Sequence, residues 1–197
     1  MEEQQQITIA KLLAQRLKIL MEEHEIPKIE YAIIAGYGLK DYREISDLDV
    51  ILSKSAYTKL KRNRKNNGIK IGSAGISKDE KLYLNVPEID ALNLKSIVEI
   101  EFFEREQTGF PSEEFSLRNL QKNGGLIEDE YENPYLSLET LVKYYTVHQD
   151  NKGKLWNGDY EINKERLEKN LSHLKLLYQN LPNINDLKSI IDKMEKY

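Results

Sequence analysis

The sequence contains no cysteine. Disulfide bridges, thiolate zinc sites and a cysteine nucleophile are therefore excluded. No apolar run approaches the ~20 residues that a helix needs to cross a bilayer, so no membrane partner is expected. There is no excess of basic charge either: 29 lysines and arginines against 33 aspartates and glutamates leave a formal net charge of −4. That balance argues against a whole-surface electrostatic grip on nucleic acid. His24, His148 and His173 stand apart with no metal-ligand spacing. No P-loop lysine pattern, internal repeat or low-complexity linker occurs. The opening Met1-Glu2-Glu3-Gln4-Gln5-Gln6 has acidic and amide side chains where a secretory leader has basic residues and then an apolar stretch. A cytoplasmic location is the expectation.

What is present is a chain of 197 residues, 40% hydrophobic and 31% charged, long enough for a substantial core. From Ile9 the apolar positions Leu12, Leu13, Leu17, Leu20 and Met21 fall three and four apart, which predicts a helix ended before Pro27. Tyr31 to Ala35 is an apolar run stopped by Gly36, the pattern of a buried strand, and Asp47 to Ser53 predicts a second. Ser55 is placed to cap a helix through about Arg64, and Asn66-Asn67-Gly68 forms a turn toward Ile69 and Ile71. Lys81 to Val86 and Ile97 to Phe103 alternate with period two and predict further strands.

Downstream the period changes. Helices are predicted over Phe115–Leu120, Ser137–His148, Asn163–Asn180 and from Asn185, and the acidic connection between Gly124-Gly125 and Asn133-Pro134 has room for one short strand. The expected fold class is α+β: a mixed sheet of four or five strands flanked by helices in residues 1–110, then a mainly helical part in 111–197 packed on it.

Asp47 and Asp49 stand at the mouth of the second strand. Residues two apart in a strand share a face, about 6.6 Å apart along the chain. Leu48 and Val50 then turn to the core and the aspartates form a negative ledge. Glu99 and Glu101 alternate in the same way with Ile100 and Phe102. Adjacent strands about 4.8 Å apart would bring a glutamate to the aspartates, and such oxygen clusters bind hard divalent cations. The same pattern also suits a turn cap, an edge strand and an acidic solvent face.

The order of features is Ile33-Ile34-Ala35-Gly36-Tyr37-Gly38, then Asp47-Leu48-Asp49-Val50, then Val98-Glu99-Ile100-Glu101. It resembles the nucleotidyltransferase fold superfamily, the polymerase β-like group, and most of all its small prokaryotic-type members related to aminoglycoside and lincosamide nucleotidyltransferases and to the nucleotidyltransferase toxins. The resemblance covers roughly residues 30 to 103. It implies a nucleotidyltransferase-like sheet, two Mg²⁺ ions held by three carboxylates, and transfer of a nucleoside monophosphate from a nucleoside triphosphate such as ATP to a hydroxyl. Asp47 and Asp49 match the metal-binding pair, and Glu99 or Glu101 the third carboxylate, which helps to activate the acceptor. Gly36 matches the start of the glycine motif beside the triphosphate. Members usually carry Ser or Gly next, where this chain has Tyr37, with Gly38 one residue later; a tyrosine there offers a hydroxyl donor.

Ser46 is placed to contact phosphate or cap the turn, and Lys40 and Arg43 lie in the link over the expected triphosphate site. Lys59, Lys61, Arg62, Arg64, Lys65 and Lys70 form a basic cluster that suits a polyanion such as RNA, or simply a solvated face. Lys143, Tyr144 and Tyr145 fall where members meet the nucleotide from the helical side, or equally serve the packing of a helix on the core, and Trp156 suits a pocket wall or a buried anchor. The rival expectation is a superfamily member that keeps the sheet for binding or regulation without turnover, which Tyr37 favours.

Overall fold

The computed structural model describes residues 2–43, 45, 47–74, 79–86, 99–107, 112–150, 160–184 and 186–195. Helix α1 (Glu2–Glu23) opens the chain. Its recurring apolar residues bury one stripe, Ile9, Leu13, Leu17, Leu20 and Met21, with Ala10 and Ala14 between them. Glu25 then adopts φ 48°, and the Ile26 N–H returns to the Met21 carbonyl at 2.8 Å. This left-handed closure satisfies the helix end just ahead of Pro27.

Strands β1 (Tyr31–Ile34), β2 (Asp47–Leu52), β3 (Lys70–Ala74), β4 (Asp79–Asn85), β5 (Glu99–Glu104), β6 (Leu126–Glu128) and β7 (Pro134–Leu136) form one mixed sheet. Their order is β3-β4-β5-β2-β1-β7-β6. β2 lies centrally, antiparallel to β1 and parallel to β5. Among the described residues the sheet therefore has seven strands, where four or five were expected. The additional pair is a hairpin in the acidic connection, where β6 and β7 pair antiparallel and β7 joins β1. Strands of three residues are too short to show a period, and Pro134 stands at a first strand position, where a missing N–H is tolerated.

Among the described residues the remaining α-helices are α2 (Lys54–Asn63), α3 (Leu117–Lys122), α4 (Leu138–Asp150), α5 (Tyr160–Asn180) and α6 (Leu187–Met194). The cap of α2 is Ser53 rather than Ser55: its Oγ accepts the Ala56 N–H at 3.0 Å and donates to Glu30 Oε2. The helix starts two residues earlier because the strand ends at Leu52 and leaves Ser53 in extended backbone.

Both faces of the sheet are covered, which is why its central strands read as continuous apolar runs. On one face Tyr31, Ile33, Leu48, Val50, Leu52, Ile100 and Phe102 pack against α1 and α2. On the other, Ala32, Ile34 and Ile51 meet Leu120, Leu141, Leu174 and Ile191 of the downstream helices. The architecture is α+β, and no described helix is long and apolar enough to cross a membrane.

Candidate active site

Leu48, Val50 and Leu52 fill the first core, so alternation turns Asp47 and Asp49 to the opposite face. Ile100 and Phe102 do the same for Glu99 and Glu101. The parallel register then sets Asp47 directly beside Glu99 and Asp49 beside Glu101. With strands about 4.8 Å apart and two-residue steps of about 6.6 Å, these positions are the corners of a compact carboxylate patch. Ile51, the next residue of β2 on that face, is already under the second core. Among the described residues the helical cover ends short of the strand mouth, with Asp49 half-buried and Asp47 exposed.

Like charges this close need a cation among them. Strand β4 supplies one. It runs antiparallel to β5 with Tyr83 opposite Glu101 and Asn85 opposite Glu99, and Leu82 and Leu84 face the first core. Lys81, Tyr83 and Asn85 thus share the carboxylate face. The Lys81 ammonium pairs with Glu101 and lies 3.9 Å from Glu99 Oε1. All three side chains are shielded from water, at 17%, 16% and 24% exposure. Burial holds the Glu99 carboxyl above its ordinary value, and its hydrogen bond with Glu101 adds to this while Lys81 opposes it. Asn85 Oδ1 is buried without a hydrogen-bond partner among the described residues.

Beside the patch, β1 ends in a tight turn over Ala35–Leu39. Ala35 has φ 56°, a left-handed conformation that costs a non-glycine residue about 1 kcal/mol. A Cβ added at Gly36 would meet nothing within 4 Å, so the backbone there is open. Gly38 has a different reason: a Cβ would come within 2.6 Å of Leu141 Cδ2, and glycine lets α4 close on the turn.

Tyr37 belongs to the first core, on the side away from the carboxylates. Its hydroxyl donates to Asp129 Oδ2 at 2.7 Å and its ring stands edge-on to Tyr135 at 5.5 Å. Burial, reinforced by the Asp129 bond, raises the Tyr37 hydroxyl pKa. The side chain anchors the turn and leaves the open side to the Gly36 backbone. Lys40 lies over the same aromatic pair, 4.9 Å from the Tyr37 centroid and 4.5 Å from that of Tyr135. Arg43 reaches the buried His173 on α5 and so ties the link to the helical layer. Ser46 lies outside the described residues, as does Trp156.

The remaining sequence candidates disperse. α2 packs on the first face through Ala56, Tyr57 and Leu60, so its Lys59, Lys61 and Arg62 are not beside the carboxylates, whereas Lys70 on β3 stands opposite Tyr83 and shares the carboxylate face, two strands from Glu101. Two of its members pair with Glu25 and Glu80. Lys143 pairs with Glu139 one turn back in α4, and Tyr144 and Tyr145 are buried edge to face against each other. His24 sits between the amides of Asn63 and Asn67. Lys81 and Asp129 were missed by sequence reasoning. The alternation of Lys81-Leu82-Tyr83-Leu84 already put Lys81 on the polar face, but only the strand order shows which polar face that is. Asp129 carried no signal.

The oxygen donors of the patch suit a hard divalent cation such as Mg²⁺, and the lysine ammonium stands where such charge is needed. Among the described residues no group of three or more His, Asp or Glu side chains is already gathered as a metal-ligand cluster. Comparisons with protein-family models, curated proteins and solved structures found no match to this chain.

Proposed function

We propose that this chain is a Mg²⁺-dependent nucleotidyltransferase, with a nucleotidyltransferase-like sheet, that moves a nucleoside monophosphate from a nucleoside triphosphate to an acceptor hydroxyl. One observation carries the reading: the register that sets Asp47 and Asp49 beside Glu99 and Glu101, next to the open backbone of Gly36. Asp47 and Asp49 hold the metal together with a glutamate. Bound Mg²⁺ supplies positive charge that offsets the triphosphate and acidifies the acceptor hydroxyl. Gly36 admits phosphate oxygens close to the main chain because no side chain stands in the way. Glu99 or Glu101, set beside the aspartates, takes the acceptor proton. The acceptor oxygen bonds to the α-phosphorus as the bond to the bridging oxygen breaks, and pyrophosphate leaves in line. Small molecules, tRNA and proteins all carry such a hydroxyl, and the Lys59–Lys70 cluster, with α2 on one face and Lys70 on the carboxylate face, suits an RNA acceptor long enough to pass from one face to the other.

Asp47→Asn and Asp49→Asn are each expected to lower Mg²⁺-dependent pyrophosphate release by more than about a hundredfold, with an unchanged circular dichroism spectrum. Turnover equal to wild type in either variant overturns the assignment. A second reading, a protein of the same fold that binds without turnover, is favoured by Lys81, which already neutralises the glutamates. Thermal stability with each of ATP, GTP, CTP and UTP, with and without Mg²⁺, separates the two. A rise in Tm that needs both nucleotide and metal supports the enzyme, and no rise with any pair supports the rival.

A further inference from the structure

Lys81 has a feature that an ordinary surface ion pair lacks. It reaches the carboxylate patch along the sheet face from the neighbouring strand, and its ammonium is shared between Glu101 and Glu99 in a shielded setting. A divalent cation held by either glutamate would bring two positive charges to the position where this one now stands. The two cannot be accommodated together without strong repulsion, which at an effective dielectric constant near 20 is still several times thermal energy at about 4 Å. An alternative resting place exists on the same strand, since the Lys81 ammonium already lies 5.8 Å from the Tyr83 ring centroid.

Resting on the nucleotidyltransferase reading, we propose that Lys81 is a tethered counter-ion of the carboxylate patch, which occupies its glutamate half until a divalent cation displaces it. Lys81 is then a positioning residue. It keeps Glu99 and Glu101 ordered and neutralised without metal, and it raises the metal concentration needed to assemble the site. A glutamate joins the metal as Lys81 withdraws.

The test uses the full chain without nucleotide, titrated with Mn²⁺ and followed by calorimetry and by loss of the free Mn²⁺ resonance signal. Lys81→Gln is expected to bind Mn²⁺ at least about fivefold more tightly than wild type while its metal-free Tm falls. Lys81→Arg, which keeps the charge, is expected to bind no more tightly than wild type. Lys81→Met, which retains the aliphatic stem, replaces the glutamine variant if that one fails to fold, with the same expected gain. A purely structural lysine would lower Tm and leave Mn²⁺ affinity unchanged. That result, with metal-dependent turnover intact, overturns the counter-ion role and leaves the nucleotidyltransferase reading standing. If neither wild type nor any variant binds Mn²⁺, with or without nucleotide, both readings fall.

Discussion

The two glycines of the turn after β1 answer to different physics. Gly38 is required by the approach of Leu141, whereas nothing inside the protein requires Gly36. Gly36→Ala is therefore expected to leave stability unchanged or raise it by up to about 1 kcal/mol, because the unfolded chain loses freedom and the fold accepts the methyl group. On the proposed function the same methyl group stands against the triphosphate, so KM for the nucleotide should rise. Urea titration and nucleotide-dependent kinetics read the two effects separately, and an unchanged KM would remove Gly36 from the site. The Asp-x-Asp ledge, the glutamates and the glycine turn were all legible as residues. The direction of Tyr37 was not, because a side chain in a turn obeys no period. Its destination depends on Asp129, 92 positions away.

At the scale of elements, most helices and strands announced themselves through their periods, and the errors fall at their ends. The start of α2 shows why. Ser53 and Ser55 are both capping residues by type, and only the place where β2 stops decides between them. Ser53→Ala is expected to cost about 1–2 kcal/mol, since it removes the bond to the Ala56 N–H and leaves Glu30 without its hydroxyl partner. Ser55→Ala, exposed in the first turn, should change stability by less than about 0.5 kcal/mol. Equal losses in urea denaturation of the two variants would contradict the assignment of the cap. The β6–β7 hairpin marks the other limit of local reading. Its pairing is sustained by the β1 edge rather than by its own three-residue strands.

Taken as a whole, the molecule hides several tyrosines in or beside its first core. Tyr31, Tyr37 and Tyr57 are buried, and in each case burial is the first cause of a hydroxyl pKa above the ordinary value of 10.0. The unfolded chain releases these protons near pH 10 and the folded chain holds them to higher pH. Their stabilising contribution is thus complete below about pH 10 and is lost as pH rises beyond it. The urea midpoint is expected to fall by on the order of 0.5 M between pH 9 and pH 11, with the share of tyrosinate absorbance that belongs to the buried rings appearing together with unfolding rather than before it. Titration of all tyrosines ahead of unfolding would show that these rings are not closed off. The two cores also explain the partial exposure of the carboxylates. Among the described residues, the helices after residue 112 cover the second face over Ala32, Ile34 and Ile51 and leave Asp47 exposed.

The sequence by itself determined the composition of the patch and the alternation that turns each pair of carboxylates out of the first core, because both are properties of neighbouring residues in one strand. It also determined the glycine turn beside them and the class of the fold. Which strands become neighbours was decided only in the tertiary structure. Strand order depends on how α1, α2 and the downstream helices fill the two faces, and these contacts join residues far apart in the chain. That order alone set Asp47 against Glu99 and Asp49 against Glu101, brought Lys81 among them, and turned Tyr37 away from the face that the carboxylates share.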